Sequence, residues 1–216
     1  MKLAAQLEVQ IKTSERLQED VDQQISVHEE MFRILGHVLV LLNLKTSDDY
    51  QAQFKYLMDE LSNSVTKVTV DRVSDKYSSL MIVDIARNVM RIAGSNGLSH
   101  ESRRREFRMG QGFAGWIWEQ KRSDVCDDVV TDDRFHQEGC APSGQYRSIV
   151  GVPVMGVNRE VVGALFVQSR RAGVFDRERD PAILLHFARL ISICGADYFR
   201  RFGETRGETN TPVEKG

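Results

Sequence analysis

Residues 109–134, MGQGFAGWIWEQKRSDVCDDVVTDDR, form the stretch of this 216-residue chain that decides its fold. Gly110, Gly112 and Gly115 stand close together here, and this spacing predicts a tight turn or a close approach of the backbone to another group. The glycines lack the G-x-x-x-x-G-K pattern of a phosphate-binding loop, so they indicate scaffold. We expect a turn that lets a short helix, over residues 115–120, cap a sheet.

The acidic residues after the glycines indicate the end of a strand, predicted over residues 124–128, and the start of a polar loop over residues 131–146. Residue types that bind metals are concentrated here: Cys126, Asp127, Asp128, Asp132, Asp133, His136, Glu138 and Cys140. The run lacks the short, defined spacings of metal ligands, and aspartates in turns commonly accept hydrogen bonds from their own backbone. We therefore expect turn chemistry and no metal site.

Apolar runs on either side of this stretch predict the strands of a sheet. Residues 80–83 and 89–93 predict a hairpin-like pair, whose second strand should end at the sequence GSNG, residues 94–97. Residues 148–155 and 161–168 are almost continuously hydrophobic, which is typical of central strands. The strands are therefore expected to form one sheet around the last two.

Helices are predicted before the first strand and after the last strand of the sequence. Thr46, followed by acidic residues, is typical of a helix start. The last helix has Asp176 or Asp180 as its cap, and Pro181 at the first helical position favours Asp180. Grouped strands flanked by helices predict an α+β domain with one central antiparallel sheet.

The N-terminal helix carries an apolar heptad pattern, here called the heptad seam. Its two core positions are occupied by Ala4, Ile11, Gln18, Ile25, Phe32 and Leu39, and by Leu7, Ser14, Val21, His28, Leu35 and Leu42. One helix cannot bury such a seam, so the pattern predicts a coiled-coil homodimer through residues 4–42. The alternative is a long helix folded back on its own domain. We divide the chain into a dimerisation helix (1–45), an α+β domain (46–202) and a polar, disordered tail (203–216).

Composition excludes several classes of function. A formal net charge of −2 gives no general attraction to nucleic acid, and the arginines at 103, 104, 105 and 108 are expected to lie in a solvated loop, offset by Glu101 and Glu106. The longest apolar run, residues 38–42, is far shorter than the roughly 20 residues of a membrane helix. With no signal-peptide core and an odd number of cysteines, we expect a cytoplasmic protein without membrane insertion.

The order of these motifs resembles a GAF domain, a small-molecule-sensing relative of PAS domains, over roughly residues 47–202. The likeness rests on the glycine turn, the DDRF segment at 132–135, RSI before VP at 147–153, Gly163 and Phe175. The resemblance implies a ligand pocket between the sheet and the segments that join its middle strands. Carried onto this chain, the pocket residues are Phe113, Trp116, Asp128, Phe135, Tyr146, Ser148, Val150, Phe166 and Gln168.

The resemblance implies a non-catalytic sensory or regulatory module, which binds a small molecule or protein partner and signals through the dimeric helix to a downstream protein. It names no cofactor. Family members that bind cyclic nucleotides carry an Asn-Lys…Phe…Asp-Glu signature. Here Gln168-Ser169 and Arg179-Asp180 replace the polar pairs, so a cyclic nucleotide is not expected.

Two alternatives remain open at this point. A free methionine sulfoxide reductase would need paired thiols. Ala114 stands where such enzymes have a cysteine in the glycine turn, which leaves Cys140 with Cys126. A bilin would need an attachment cysteine in the pocket loop; Cys140 could serve only by coincidence of position, so we do not expect a bilin. The other alternative is a structural interaction module whose pocket is filled by Trp116, Phe135 and Phe166.

Overall fold

A computed structural model describes residues 2–69, 76–141 and 146–202 and confirms the α+β fold. The predicted tail, 203–216, lies outside the described residues. The helices are α1 (Lys2–Asn43), α2 (Ser47–Val68), α3 (Gly112–Gln120) and α4 (Arg179–Phe202). The strands are β1 (Lys76–Asp84), β2 (Val89–Asn96), β3 (Glu106–Phe107), β4 (Asp124–Cys126), β5 (Ser148–Met155) and β6 (Val161–Ser169). None of the helices in these ranges combines the length and apolar character that crossing a bilayer requires.

The strands form one six-stranded antiparallel sheet in the order β3-β2-β1-β6-β5-β4. The predicted strands at 148–155 and 161–168 are confirmed as the neighbours β5 and β6. The expected end of β2 at Gly94 is wrong, because Gly94 pairs with Leu80 inside the ladder. Glycine is needed here for close packing, because a Cβ at this position would lie 2.8 Å from the backbone of Met58. Helix α2 can therefore pack directly on the strand.

The central strands β5 and β6 are buried on both faces, and their side chains alternate between two cores. One core, the helix-side core, joins alternate residues of β5 and β6 to α1, α2 and α4. It includes Val150, Val152, Val154, Leu165 and Val167. The other faces α3 and includes Ile149, Ala164 and Phe166. The sheet therefore separates a helix layer from the side that carries the glycine turn.

The second half of α1 packs on its own domain. Val27, Ile34, Val38 and Leu41 are buried in the helix-side core. Arg33 forms ion pairs with Glu30 and with Glu60 of α2 and donates to Ser64 Oγ at 2.6 Å. The alternative of a helix folded back on its domain therefore holds for this face.

The heptad seam lies on a different face of α1, and most of it is exposed. Its exposed apolar residues are Leu7, Ile11, Val21, Ile25, Phe32, Leu35 and Leu39. Leu42 departs from the seam and packs partly against the helix-side core. Helix α1 therefore has two apolar faces, one covered by its own domain and one available to a second molecule.

The start of α2 is confirmed, because Thr46 Oγ1 accepts a hydrogen bond from the backbone N–H of Asp49 at 3.2 Å. For α4 the preference for Asp180 as the cap is wrong. Asp176 Oδ1 accepts hydrogen bonds from the backbone N–H groups of Glu178 and Arg179 at 2.9 and 2.8 Å. Asp180 is buried and instead accepts from the N–H of Asp176.

A matched valine pair tests the packing of α1. Val38 is 2% exposed and Val40 is 51% exposed, although they are two positions apart on the same helix. We expect Val38→Ala to lower the free energy of unfolding by about 1–3 kcal/mol, because buried methyl groups are lost, and Val40→Ala to change it by less than about 0.5 kcal/mol. Urea denaturation measures both. Equal effects would show that this face of α1 is not buried by its own domain.

Candidate functional site

The glycine motif forms the tight turn that its spacing predicts. Gly110 and Gly112 have φ values of +76° and +62°, a backbone conformation that glycine adopts without strain. A Cβ on Gly115 would lie 2.1 Å from the carbonyl oxygen of Arg108, so only glycine permits this approach. Helix α3 begins within this turn, at Gly112, three residues earlier than expected.

Aromatic side chains join α3 to the sheet and to the polar loop. The ring of Phe113 stacks with that of Phe135 at 6.0 Å and meets Phe166 of β6 edge-on at 6.1 Å. Phe135 in turn meets Tyr146 edge-on at 6.3 Å. Such pairs stabilise an interior beyond the area they bury, so they help to hold α3 over the sheet.

Arg134, which belongs to the DDRF segment, connects the loop to α3, a role that the sequence did not predict. Its guanidinium carbon lies 4.6 Å from the ring centre of Phe113 and 4.8 Å from that of Trp116. The same group forms ion pairs with Asp124 at 2.7 Å and Asp132 at 2.5 Å. Asp132 Oδ1 also accepts the backbone N–H of Arg134, which confirms the predicted turn chemistry. Cation–π and ionic contacts therefore fix the position of α3 together.

A cavity of about 50 Å³ lies between the sheet and α3. Five of the expected pocket residues line it: Phe113, Phe135, Tyr146, Phe166 and Gln168. Its remaining walls include apolar residues of the sheet and, unpredicted, the side chains of Ser79, Ser102, Arg105 and Cys140. An apolar cavity with a few polar groups is the usual form of a small-molecule site.

Ser148 and Val150 lie outside the cavity lining, which corrects the expectation for these two residues. Both occupy the positions of β5 that face the helix layer. Val150 belongs to the helix-side core, and Ser148 donates to the carbonyl oxygen of Arg171 at 2.6 Å. The intervening residue Ile149 faces the cavity instead, because side chains alternate along a strand.

Trp116 and Asp128 also lie outside the cavity lining, because their side chains contact arginine side chains instead. The guanidinium carbons of Arg122 and Arg134 each lie 4.8 Å from the centre of the Trp116 ring. Asp128 forms an ion pair with Arg147 at 2.5 Å, and this contact lowers the pKa of Asp128. Both residues therefore stabilise the rim of the site.

Polar groups of the cavity are incompletely paired. Gln168 is 7% exposed, and in the described part of the chain its Oε1 has no hydrogen-bond partner. Arg105 donates from Nη2 to the carbonyl oxygen of Ala141 at 2.5 Å. No ion pair of Arg105 is formed with any described residue. Burial raises the pKa of Tyr146 to about 12, so its hydroxyl is neutral at physiological pH.

The cysteines are free and buried. Cys140 lines the cavity, and its Sγ lies 2.9 Å from where a Cβ on Gly112 would be. Burial raises the pKa of Cys140, and it raises the pKa of Cys126 to about 12, with a hydrogen bond to Asp132 acting in the same direction. Both groups are therefore thiols near neutral pH. No cluster of three His, Cys, Asp or Glu side chains suited to a metal occurs among the described residues.

Comparisons with known proteins agree with the fold. The sequence model of the GAF domain matches residues 57–194. The GAF domain of an Acinetobacter phosphoenolpyruvate-protein phosphotransferase is 20% identical with a TM-score of 0.61, over 81% of this chain and 95% of that one. A free methionine-R-sulfoxide reductase from Neisseria meningitidis, solved with its substrate, is 16% identical with a TM-score of 0.59, over 77% of this chain and 88% of that one.

A second phosphotransferase GAF domain, from Coxiella burnetii, is 16% identical with a TM-score of 0.56, over 78% of this chain and 95% of that one. No curated protein matches the sequence. At these identities the solved structures show a shared fold, whereas the roles of individual side chains have to be inferred from the geometry of the site in this chain.

The ion pair between Asp132 and Arg134 predicts a defined pH dependence. Hydrogen bonding to Arg134 lowers the pKa of Asp132 to about 2. Its stabilising contribution is therefore present above the ordinary value of about 3.9 and is lost as the pH falls through about 2. We expect Asp132→Asn to lower the free energy of unfolding by about 1–2 kcal/mol near neutral pH, a value reduced for partial exposure.

Urea denaturation of the wild type and the Asp132→Asn variant measures this difference at neutral and acidic pH. The two stabilities should converge between about pH 4 and pH 2. Asp133→Asn is the control, because the neighbouring carboxylate is fully exposed and does not contact Arg134. A difference that persists unchanged in acid would contradict an ionic contribution.

Proposed function

Because this chain belongs to the GAF domain family, we propose that it is a non-catalytic sensory module that binds a small molecule between the sheet and α3 and signals through a dimeric α1. The observation that carries the proposal is the cavity itself. Its walls are mostly apolar, and they include the buried Gln168, whose Oε1 has no hydrogen-bond partner among the described residues. These features support a small-molecule site.

Strand β6 gives the cavity a direct route to the helix layer. Phe166 and Gln168 face the cavity, while Leu165 and Val167 on the opposite face pack in the helix-side core. That core contains residues of α1, α2 and α4. A ligand that shifts β6 would therefore change the packing of these helices, since close-packed interfaces transmit small displacements.

Helix α4 also contacts α1 through polar groups. Arg179, at the start of α4, donates to Gln23 and pairs with Asp20 at 2.9 Å. These contacts lie where α1 passes from its domain-packed half to the half whose residues, 5–19, are exposed. Movement of α4 is therefore positioned to change the direction of the N-terminal half of α1.

The output is proposed to be a homodimer that forms through the heptad seam. Ile11, Val21 and Ile25 are each about half exposed, and pairing with the same residues of a second copy would bury them. The domain-packed face remains covered in such a dimer, because it lies on a different side of α1. A downstream signalling protein would then recognise the arrangement of the paired helices.

Matched lysine variants test the dimer. Ile11 lies on the heptad seam and is 49% exposed, whereas Val9 lies off the seam and is 64% exposed. We expect Ile11→Lys to shift the protein from dimer to monomer, because a charge would be buried in the seam, and Val9→Lys to leave the dimer intact. Sedimentation velocity at micromolar concentration gives the oligomeric state. A wild-type protein that is monomeric under these conditions would contradict the proposal.

Occupancy of the cavity is tested by native mass spectrometry of protein purified from its own host. We expect a bound small molecule on the wild type. Ala114→Leu should reduce the bound fraction at least tenfold, because Ala114 lines the cavity and the larger side chain fills it. Ala52→Leu on the exposed surface of α2 is the matched control. If neither the wild type nor the control carries a small molecule, the cavity is structural, as in an interaction module.

A thiol enzyme is the second candidate, favoured by the position of Cys140 on the cavity wall. Burial of Cys126 and Cys140 favours their neutral thiols over the nucleophilic thiolates. We therefore expect no turnover of free methionine sulfoxide, and slow reaction of both thiols with a disulfide reagent until the protein is unfolded. Turnover that is abolished by Cys140→Ser would replace the sensory proposal with the enzymatic one.

A further inference from the structure

Gln168 supplies a hydrogen-bond acceptor that the cavity leaves unused. The residue lies on β6, more than nine-tenths buried, and lines the cavity. In the orientation that the structure assigns to the amide, Oε1 has no partner among the described residues. An unpaired buried acceptor costs free energy, because it has lost its hydrogen bonds to water. A ligand hydroxyl or amino group that donates to this oxygen would recover that cost.

Arg105 supplies a positive charge on another wall of the cavity. It lies in the connection between β2 and β3, and no ion pair of this side chain occurs within the described ranges. Glu106, expected from the sequence to offset the neighbouring arginines, is engaged by Arg87 at 2.5 and 2.9 Å. The guanidinium has five N–H donors, of which one reaches the carbonyl oxygen of Ala141. The remaining donors suit a carboxylate, which a guanidinium binds with two parallel hydrogen bonds.

The size of the cavity limits the ligand. A water-sized probe needs about 10–15 Å³, and the cavity measures about 50 Å³. Apolar walls such as Phe113, Ile149 and Phe166 suit a short hydrocarbon segment between the polar ends of the ligand.

We propose that the cavity selects a short carboxylate bearing a hydroxyl or amino group, with Arg105 binding the carboxylate and Gln168 accepting a hydrogen bond from the second group. This inference rests on the proposed ligand-binding function and specifies its ligand class. Arg105 supplies most of the affinity for the charge, and Gln168 distinguishes such acids from simple fatty acids. The spacing of the two groups on the ligand is set by the distance across the cavity.

Isomers of hydroxybutyrate test the inference, because they vary that spacing at constant size and charge. Binding of α-, β- and γ-hydroxybutyrate to the full-length protein is measured by calorimetry, beside butyrate and the amide of each isomer. We expect at least one isomer to bind about tenfold or more tightly than butyrate and its own amide, since each comparison removes one buried polar contact. Equal binding of butyrate and all three isomers, or binding of none of them, would overturn the inference.

Substitutions of Arg105 and Gln168 test which residue makes each of the two proposed ligand contacts. Arg105→Gln should weaken the preferred isomer about tenfold or more, while Arg104→Gln, at an exposed neighbouring arginine, should not. Gln168→Met keeps the length of the side chain without its acceptor and should make butyrate and the preferred isomer bind equally. An equal loss in Arg104→Gln and Arg105→Gln would contradict the role of Arg105. The ligand comparison on the wild type decides the outcome even if Gln168→Met does not fold.

The failure of this inference is distinguishable from failure of the proposed function. If native mass spectrometry finds a cavity ligand that Ala114→Leu removes, but no hydroxybutyrate isomer binds, the cavity is a ligand site of another chemical class. If no ligand copurifies and none of the carboxylates binds, both the inference and the ligand-binding function fail.

Discussion

Strands β5 and β6 are buried on both faces, and this constraint determines what must surround them. Alternate side chains enter the helix-side core and the core that faces α3, so both faces of the sheet need a cover. On one face the cover is a continuous layer of α1, α2 and α4. On the other it is the short helix α3 with its flanking loops. The cavity lies under this second, less continuous cover.

The cover over the cavity depends on Arg134. Helix α3 has only nine residues, although Phe113, Ile117 and Trp118 are buried in the core on this face of the sheet. Arg134 adds directional contacts to this packing, because it pairs with Asp124 at the sheet edge and lies over the rings of Phe113 and Trp116 of α3. The glycines remove the Cβ atoms that would prevent the turn from closing beneath α3. The glycines therefore allow the turn to form, whereas the neighbouring residues Phe113 and Ala114 line the cavity.

The sequence predicted the central strands and the glycine turn well because continuous hydrophobicity and glycine spacing are local signals. It misplaced Ser148 and Val150, because a strand that is apolar on both faces gives no signal for which side chains face the cavity. Arg105 was expected in a solvated loop, and its place on the cavity wall depends on tertiary contacts that the sequence does not reveal. Helix α1 was ambiguous for a similar reason, because it carries two apolar faces. The folded-back helix describes the covered face, and the dimer stays a prediction for the exposed one.

The central claim is that occupancy of the cavity reaches α1 through β6 and α4. Amide hydrogen exchange of the full-length protein, with and without the hydroxybutyrate isomer that binds most tightly, tests it directly. The account predicts altered exchange in α4 and in α1 around residues 20–41, in addition to β6. A change confined to α3, β6 and the loops around the cavity would contradict the claim, because the ligand would then bind without affecting the helix layer.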